Sequence, residues 1–273
     1  MKPKCLGICL FYNDEDIVDE AIQHLLRNNH DVIVWNHGSN DNTQGVIDRY
    51  KNHILAQHFL PRSFDFYKLF EHVSKYIIET YVKQYDWISF PESDEFLEGP
   101  LRDKSYYEYV RDVFESPYDW IQFNNLVFWF TEKDDSNISM VRERIKHYSF
   151  WGDCGPRVYA WKAAAMNVRE FNHNPANGMR YPLLFNTCHY QVRSREHLIK
   201  RIESRVGLSK GAANYHFDYM KNNISKLYID SNQLNFDNGG NLSLEQVFDW
   251  SKYVYGSYEE LIKQLEQSGN PPL

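Results

Sequence analysis

Three short apolar runs, separated by stretches with helical periodicity, constrain the fold of this chain more than any other feature. The runs are residues 4–12 (KCLGICLFY), 31–35 (DVIVW) and 86–90 (DWISF). Such runs are typical of strands that are buried on both faces of a parallel sheet. Apolar side chains recur at helical spacing in residues 16–29 and 66–85, between the runs. The alternation predicts an α/β fold with a Rossmann-like, mostly parallel sheet that is flanked by helices.

Each of the three runs ends in a cluster of polar residues. The clusters are NDED at 13–16, NHGSND at 36–41 and PESDE at 91–95. Right-handed crossovers place the carboxyl ends of parallel strands at one rim of the sheet, where α/β proteins bind their ligands. We therefore expect the three clusters to converge on one binding site.

The acidic cluster after the third run indicates a site for a divalent cation. Side chains two positions apart in an extended segment point the same way, so Glu92 and Asp94 can face one ion. Mg²⁺ or Mn²⁺ held by one or two carboxylates neutralises the charge that develops on a diphosphate leaving group. A solvated acidic turn is the alternative interpretation, because acid-x-acid matches are frequent by chance.

Taken together, LFYNDED, VIVWNHGSNDNT and YDWISFPESDEF resemble the nucleotide-sugar half of family 2 glycosyltransferases, which have the GT-A fold. The family's motifs are a strand ending in Y-N-E/D, a D-(D/N)-G-S-x-D-x-T turn and a D-x-D segment. The resemblance covers roughly residues 4–100. Residues 189–202 (HYQVRSREHLIKRI) resemble more loosely an H-Y-x-x-R-S segment of transferases related to family 92. The expected domains are a GT-A-like catalytic domain over 1–195 and a helical C-terminal extension over 196–273.

The resemblance also implies roles for individual residues. Metal ligands would be Glu92, Asp94 and His189, and the histidine favours Mn²⁺ over Mg²⁺. Glu95 would support the metal site, and Arg193 would contact the diphosphate or form a surface ion pair. The full nucleotide-binding set is Phe11, Tyr12, Asn13, Asn36, His37, Ser93 and Arg193. The turn at Asn36 and His37 lacks the acid that the family places against uracil.

An inverting transfer also requires a general base that takes the proton of the acceptor hydroxyl. Asp153 is the first candidate, because it is an isolated acid among aromatic and glycine residues, and Asp218 is the second. Trp129, Trp151 and Tyr159 would form a stacking floor for an acceptor sugar, or else pack in the core.

These features predict a metal-dependent glycosyltransferase that moves a sugar from a nucleotide diphosphate, expected to be UDP, to an acceptor hydroxyl with inversion. The acceptor is expected to be a glycan or another hydroxyl-bearing molecule. Two alternatives remain: a nucleotide- or carbohydrate-binding protein without catalysis, and a nucleotidyltransferase. The formal net charge of −7 argues against non-specific nucleic-acid binding. The chain lacks P-loop and dinucleotide fingerprints, which argues against NTPases and dehydrogenases.

The expected location is the cytoplasm, with peripheral contact to a membrane left open. No stretch reaches the roughly 20 apolar residues that span a bilayer, and the apolar run at 4–12 is too short for a signal peptide. The four cysteines show no CxxC spacing, so we expect no zinc or redox motif among them.

Overall fold

The computed structural model describes residues 2–62, 66–150, 157–168, 177–205 and 229–244. Its helices and strands, in chain order, are β1 (Cys5–Phe11), α1 (Val18–Arg27), β2 (His30–Asn36), α2 (Thr43–Asp48), β3 (Ala56–Phe59), α3 (Phe66–Thr80), β4 (Trp87–Ser89), β5 (Glu95–Glu98), α4 (Tyr106–Phe114), β6 (Trp120–Trp129), α5 (Val141–Arg144), β7 (His147–Phe150), β8 (Arg157–Lys162), β9 (Phe185–Val192), α6 (Arg195–Arg205) and β10 (Asn235–Phe236).

Contacts between residues divide the chain into two compact units. The first contains Met1–Asn125 and Cys154–His189, and the second contains Leu126–Asp153 and Tyr190–Leu273. Strands β6 and β9 therefore pass from the first unit into the second. The predicted division at residue 195 remains a prediction.

The first unit begins with a parallel sheet in the order β3-β2-β1-β4. The register of β1 and β2 is continuous, from Cys5 opposite His30 to Phe11 opposite Asn36. Strand β8 then pairs antiparallel with β4 and with the first residues of β6. The prediction of an α/β fold with a sheet flanked by helices is confirmed, and its sheet is mixed.

Both faces of this sheet are apolar, which explains why the strands are continuous apolar runs. Leu6 packs on one face in a cluster with Val73 of α3. Its neighbour Cys5 lies on the other face in a cluster with Val110 of α4. Burial raises the pKa of the thiols of Cys5 and Cys9 to about 12, so both behave as small apolar side chains.

The strands that follow β4 are connected by a continuous series of pairings. Strand β5 comes directly after β4 in the chain but pairs with β9. Strand β9 also pairs with β6, which pairs with β8, and β8 returns to β4. Side chains of β5 and β8 are nevertheless in contact, although two strands lie between them in the order of pairing.

A buried polar network connects β2, β4 and α4. His30 Nδ1 lies 2.7 Å from the carbonyl oxygen of Asn28, which can only accept, so Nδ1 donates and Nε2 accepts. Nε2 is 3.0 Å from Ser89 Oγ, and Ser89 Oγ is 3.0 Å from the Tyr106 hydroxyl. With this tautomer, the Ser89 hydroxyl donates to His30 Nε2 and the Tyr106 hydroxyl donates to Ser89 Oγ. Burial lowers the pKa of His30 to about 4.

We expect this buried imidazole to make the free energy of unfolding depend on pH. Below pH 6.5 the unfolded chain binds a proton at His30, whereas the folded chain stays neutral down to about pH 4. The contribution of the neutral imidazole to the free energy of unfolding is thus complete above pH 6.5. About 3 kcal/mol of it is lost as the pH falls from 6.5 to about 4. Urea unfolding at pH 7 and pH 5, on the wild type and on His30→Gln, measures the contribution. Equal pH dependence in both proteins would contradict it.

The second unit contains an aromatic core. The ring of Phe128 stacks on Tyr148 and Tyr190, with centroid distances of 5.1 and 4.6 Å. Trp129 is buried, and its Nε1 donates to Ser149 Oγ at 2.9 Å. Trp129 therefore packs in the core, the alternative to its predicted place in a stacking floor.

The predicted helices beyond residue 205 fall outside the described residues, apart from 229–244, which include β10. Within the described ranges, no helix is long and apolar enough to cross a membrane.

Candidate functional site

The acidic cluster after β4 forms a turn that is closed by its own side chain. Glu95 N donates to Glu92 O at 3.2 Å, and Glu92 N donates to Glu95 Oε2 at 3.1 Å. The chain then continues directly into β5, a strand that the sequence pattern did not predict. Glu92 and Ser93 are half-buried in this turn, whereas Asp94 and Glu95 are buried.

The pairing of β5 with β9 brings His189 to this turn, because Glu95 lies directly opposite His189. His189 Nε2 is 3.3 Å from Asp94 Oδ1, and both side chains are only 5% exposed. The geometry is not that of a hydrogen bond, and neither ring nitrogen has a hydrogen-bond partner among the residues that the structure describes. Of the three predicted metal ligands, the structure brings together Asp94 and His189.

Glu95 is held by two side chains of β8 that the sequence analysis did not connect with it. Arg157 Nη1 donates to Glu95 Oε1 at 2.7 Å, and the Tyr159 hydroxyl donates to the same oxygen at 2.5 Å. Burial and the adjacent Glu95 carboxylate raise the pKa of Tyr159 well above its usual value, so the phenol stays neutral and donates. Tyr159 therefore belongs to this buried cluster instead of a sugar-stacking floor.

The turns after β1 and β2 are connected by hydrogen bonds. Asn13 N donates to Ser39 Oγ at 3.0 Å, and Asn13 Oδ1 accepts from Asn40 N at 2.9 Å. Asn13 adopts the left-handed region with φ 54°, which asparagine tolerates better than most residues. Asp14 N donates to Thr43 Oγ1 at 2.9 Å. The first two polar clusters thus form one framework, as the parallel sheet predicts.

Among the predicted nucleotide-binding residues of these two turns, Tyr12 has an aromatic ring that is partly accessible to solvent. The ring is half-buried, and the Arg62 guanidinium lies 3.9 Å from its centroid. Phe11, Asn36 and His37 are buried. Gly38 has φ 66°, and a Cβ there would lie 2.5 Å from Arg62 N, so glycine allows the loop carrying Arg62 to approach.

Asn36 has a structural role in the second turn. Its Oδ1 accepts from Ser39 N at 2.9 Å, and its Nδ2 donates to Gln44 Oε1 at 2.7 Å. His37 N donates to Phe11 O at 2.8 Å, which continues the pairing of β1 and β2 into the turn. These contacts orient the turn, while the roles of Asn36 and His37 toward a nucleotide remain predictions.

The remaining predicted residues belong to the second unit or fall outside the described residues. Arg193 belongs to the second unit, where it is buried and its carbonyl oxygen accepts from Arg144 Nη2 at 3.0 Å. Asp153, Trp151 and Asp218 lie outside the described residues. Within the described part of the chain, no group of three or more His, Cys, Asp or Glu side chains could hold a metal ion.

A cavity of about 350 Å³ opens in the first unit between the end of α1, β5 and the start of α4. Its wall carries Arg27, Arg102 and Lys104 but none of the predicted site residues. Arg102 pairs with Glu98, and Lys104 pairs with Asp112, so much of this charge is already compensated.

No protein-family model and no curated protein matches the chain. Solved structures do match. One is TarS of S. aureus, at 13% identity and a TM-score of 0.41, where the match covers 82% of this chain and 43% of TarS. The chain therefore spans less than half the length of that protein.

Two further structures were solved with ligands. TarS residues 1–349 in complex with UDP match at 13% identity and a TM-score of 0.38, over 80% of this chain and 69% of that one. Glucosyl-3-phosphoglycerate synthase of Mycobacterium tuberculosis, in complex with Mn²⁺, UDP and phosphoglyceric acid, matches at 15% identity and a TM-score of 0.32. That match covers 60% of this chain and 57% of the synthase. At these identities and scores we draw no conclusion about this chain from the similarity, and the site is interpreted from its own residues.

Proposed function

We propose that this chain is a glycosyltransferase that moves a sugar from a nucleotide diphosphate to an acceptor hydroxyl, with a divalent cation held by Asp94 and His189. The observation that carries the proposal is the buried approach of His189 Nε2 to Asp94 Oδ1 at 3.3 Å without hydrogen-bond geometry. The motif resemblance of the three strand-end clusters supports the nucleotide-sugar donor.

The Asp94–His189 pair fits a small divalent cation. In octahedral coordination with bonds near 2.1 Å, neighbouring ligand atoms lie about 3 Å apart, close to the 3.3 Å observed. One carboxylate and one imidazole leave the remaining positions for water and diphosphate oxygens. The imidazole favours Mn²⁺ over Mg²⁺. Glu92, half-buried and two residues before Asp94, is proposed to contribute through a water molecule.

The chain's own residues would position the donor around this pair. The cation supplies charge neutralisation for the diphosphate as it leaves. The ring of Tyr12, with Arg62 beside it, offers a stacking surface for the nucleotide base. Ser93 lies in the turn between Glu92 and Asp94, within the acidic cluster. Phe11, Asn13, Asn36 and His37 complete the proposed nucleotide-binding set.

The proposed general base, diphosphate contact and acceptor rest on the sequence alone. Asp153 is the proposed general base of an inverting transfer, and Arg193 is the proposed diphosphate contact. The acceptor is a glycan or another hydroxyl-bearing molecule, and UDP is the first nucleotide to test. The catalytic domain is proposed to end near residue 195.

A panel of nucleotide sugars tests this function. UDP-, GDP- and ADP-sugars are added with Mn²⁺ or with EDTA, and thermal unfolding and donor hydrolysis are measured. We expect at least one nucleotide sugar to raise Tm with Mn²⁺ and to raise it much less with EDTA, and to be hydrolysed slowly. Stabilisation without hydrolysis or transfer would favour the non-catalytic binding protein. No stabilisation by any nucleotide would contradict the proposal.

A further inference from the structure

The imidazole of His189 has a carboxylate near each of its two ring nitrogens. Nε2 is 3.3 Å from Asp94 Oδ1, and Nδ1 is 3.8 Å from Glu95 Oε1. The side chain of Glu95 has no exposed surface, and the side chain of His189 is 5% exposed. The ring is therefore in a dry environment, where charges orient a dipolar group more strongly than they do in water.

Glu95 cannot easily turn away from the ring. Its Oε1 accepts from Arg157 and Tyr159, and its Oε2 accepts from the backbone N–H of Glu92. The antiparallel register also fixes its backbone opposite His189. A carboxylate that is held at both oxygens is suited to orient a neighbouring group, because its own position does not adapt to that group.

We propose that Glu95 is a positioning residue that orients His189 for metal binding. Its negative charge keeps the proton on Nδ1, which leaves the lone pair of Nε2 directed toward Asp94 and a cation between them. Nδ1 of His189 is 3.8 Å from Glu95 Oε1, which is beyond hydrogen-bond distance. A movement of the imidazole by about 1 Å brings the two atoms to the usual separation of about 2.7–3.2 Å. Metal-binding histidines generally donate their second N–H to such a partner. This inference rests on the proposed function.

The same arrangement assigns a role in the site to Arg157 and Tyr159. Both donate hydrogen bonds to the Glu95 carboxylate, so we assign them an effect on the site through that carboxylate. Strand β8 is thereby coupled to the Asp94–His189 pair. Its side chains hold Glu95 of β5, and Glu95 lies opposite His189 of the paired strand β9.

The test compares Mn²⁺ affinity in the presence of UDP, or of the nucleotide that best stabilises the wild type, by electron paramagnetic resonance of free Mn²⁺. Glu95→Gln removes the charge, and Glu95→Asp keeps the charge but withdraws it from the ring. Glu95→Asp carries the test if Glu95→Gln does not fold. We expect 10- to 100-fold weaker Mn²⁺ binding, on the order of the usual effect of losing such a partner. Glu98→Gln, on the other face of β5, is the matched control and should leave the affinity unchanged.

A double-mutant cycle separates positioning from a merely structural effect. In a His189→Ala background, Glu95→Asp should cause no further loss of Mn²⁺ affinity, because the ring that it orients is gone. A loss of the same size in both backgrounds would overturn the inference, as would unchanged Mn²⁺ affinity of Glu95→Asp alone. The proposed function fails separately, if the wild type binds no Mn²⁺-nucleotide at all.

Discussion

Replacing Asp94 by Asn is expected to lower kcat/KM for sugar transfer by at least about 100-fold. The substitution keeps the size of the side chain but removes the charge that offsets the cation and the diphosphate. Loss of one preorganised electrostatic contact to a leaving or developing anion typically costs about 100- to 1,000-fold. The measurement is initial-rate kinetics with the donor that the nucleotide panel selects, at saturating Mn²⁺.

Two controls make the Asp94 result interpretable. Glu98→Gln, four residues along, removes a carboxylate that pairs with Arg102 away from the site, and should change kcat/KM less than twofold, or about 0.4 kcal/mol. Thermal unfolding of both variants shows whether the fold is retained. If Asp94→Asn folds, binds Mn²⁺-nucleotide as tightly as the wild type and transfers at the same rate, then Asp94 is not a metal ligand.

Removing the Glu95 carboxylate should strongly lower the free energy of unfolding. In Glu95→Ala, the buried Arg157 guanidinium would lose its ion-pair partner at 2.7 Å, with Glu92 remaining as a neighbouring negative charge, and the Tyr159 hydroxyl would lose its acceptor. Removing one partner of a buried ion pair costs about 3–5 kcal/mol. Urea unfolding at pH 7 measures the change in the free energy of unfolding.

A second substitution distinguishes this explanation from simple loss of packing. The double variant Glu95→Leu with Arg157→Met has no uncompensated charge, so it should be more stable than Glu95→Ala despite carrying two changes. Tyr159→Phe removes one hydrogen bond and should cost only about 1–2 kcal/mol. If the double variant is as unstable as the sum of its parts, the Arg157 charge is not the cause.

The sequence predicted the parallel half of the sheet because each strand there is a local pattern. The apolar runs at 4–12 and 86–90 contain β1 and β4, the run at 31–35 forms β2 except for its two end residues, and the helical spacing at 16–29 contains α1. The three strands are largely buried on both faces, so their composition alone separates them from the polar turns. The convergence of the first two clusters also follows from parallel pairing, which needs no detailed register.

The candidate site depends on contacts that no local pattern contains. Asp94 and His189 meet because β5 pairs with β9, and β5 is a four-residue strand that begins at an acid. Arg157 contacts Glu95 from 62 residues along the chain, although β6 and β9 lie between their two strands in the order of pairing. Motif resemblance selected Asp94 and His189, whereas Arg157 lies in no recognisable motif and could be found only from the structure.

The hydrogen bonds between the turns after β1 and β2 have a consequence for how this sequence can change over time. Asn13 donates its backbone N–H to the Ser39 hydroxyl, and its side-chain oxygen accepts from the backbone N–H of Asn40, so a substitution of Ser39 or of Asn13 removes one of the two bonds between the turns. A change at Asn13 or Ser39 should therefore be accompanied by a compensating change in the other turn. Within this lineage, the two turns are expected to evolve as a single inherited block, and grafting one of them alone into a relative should fail where grafting both succeeds.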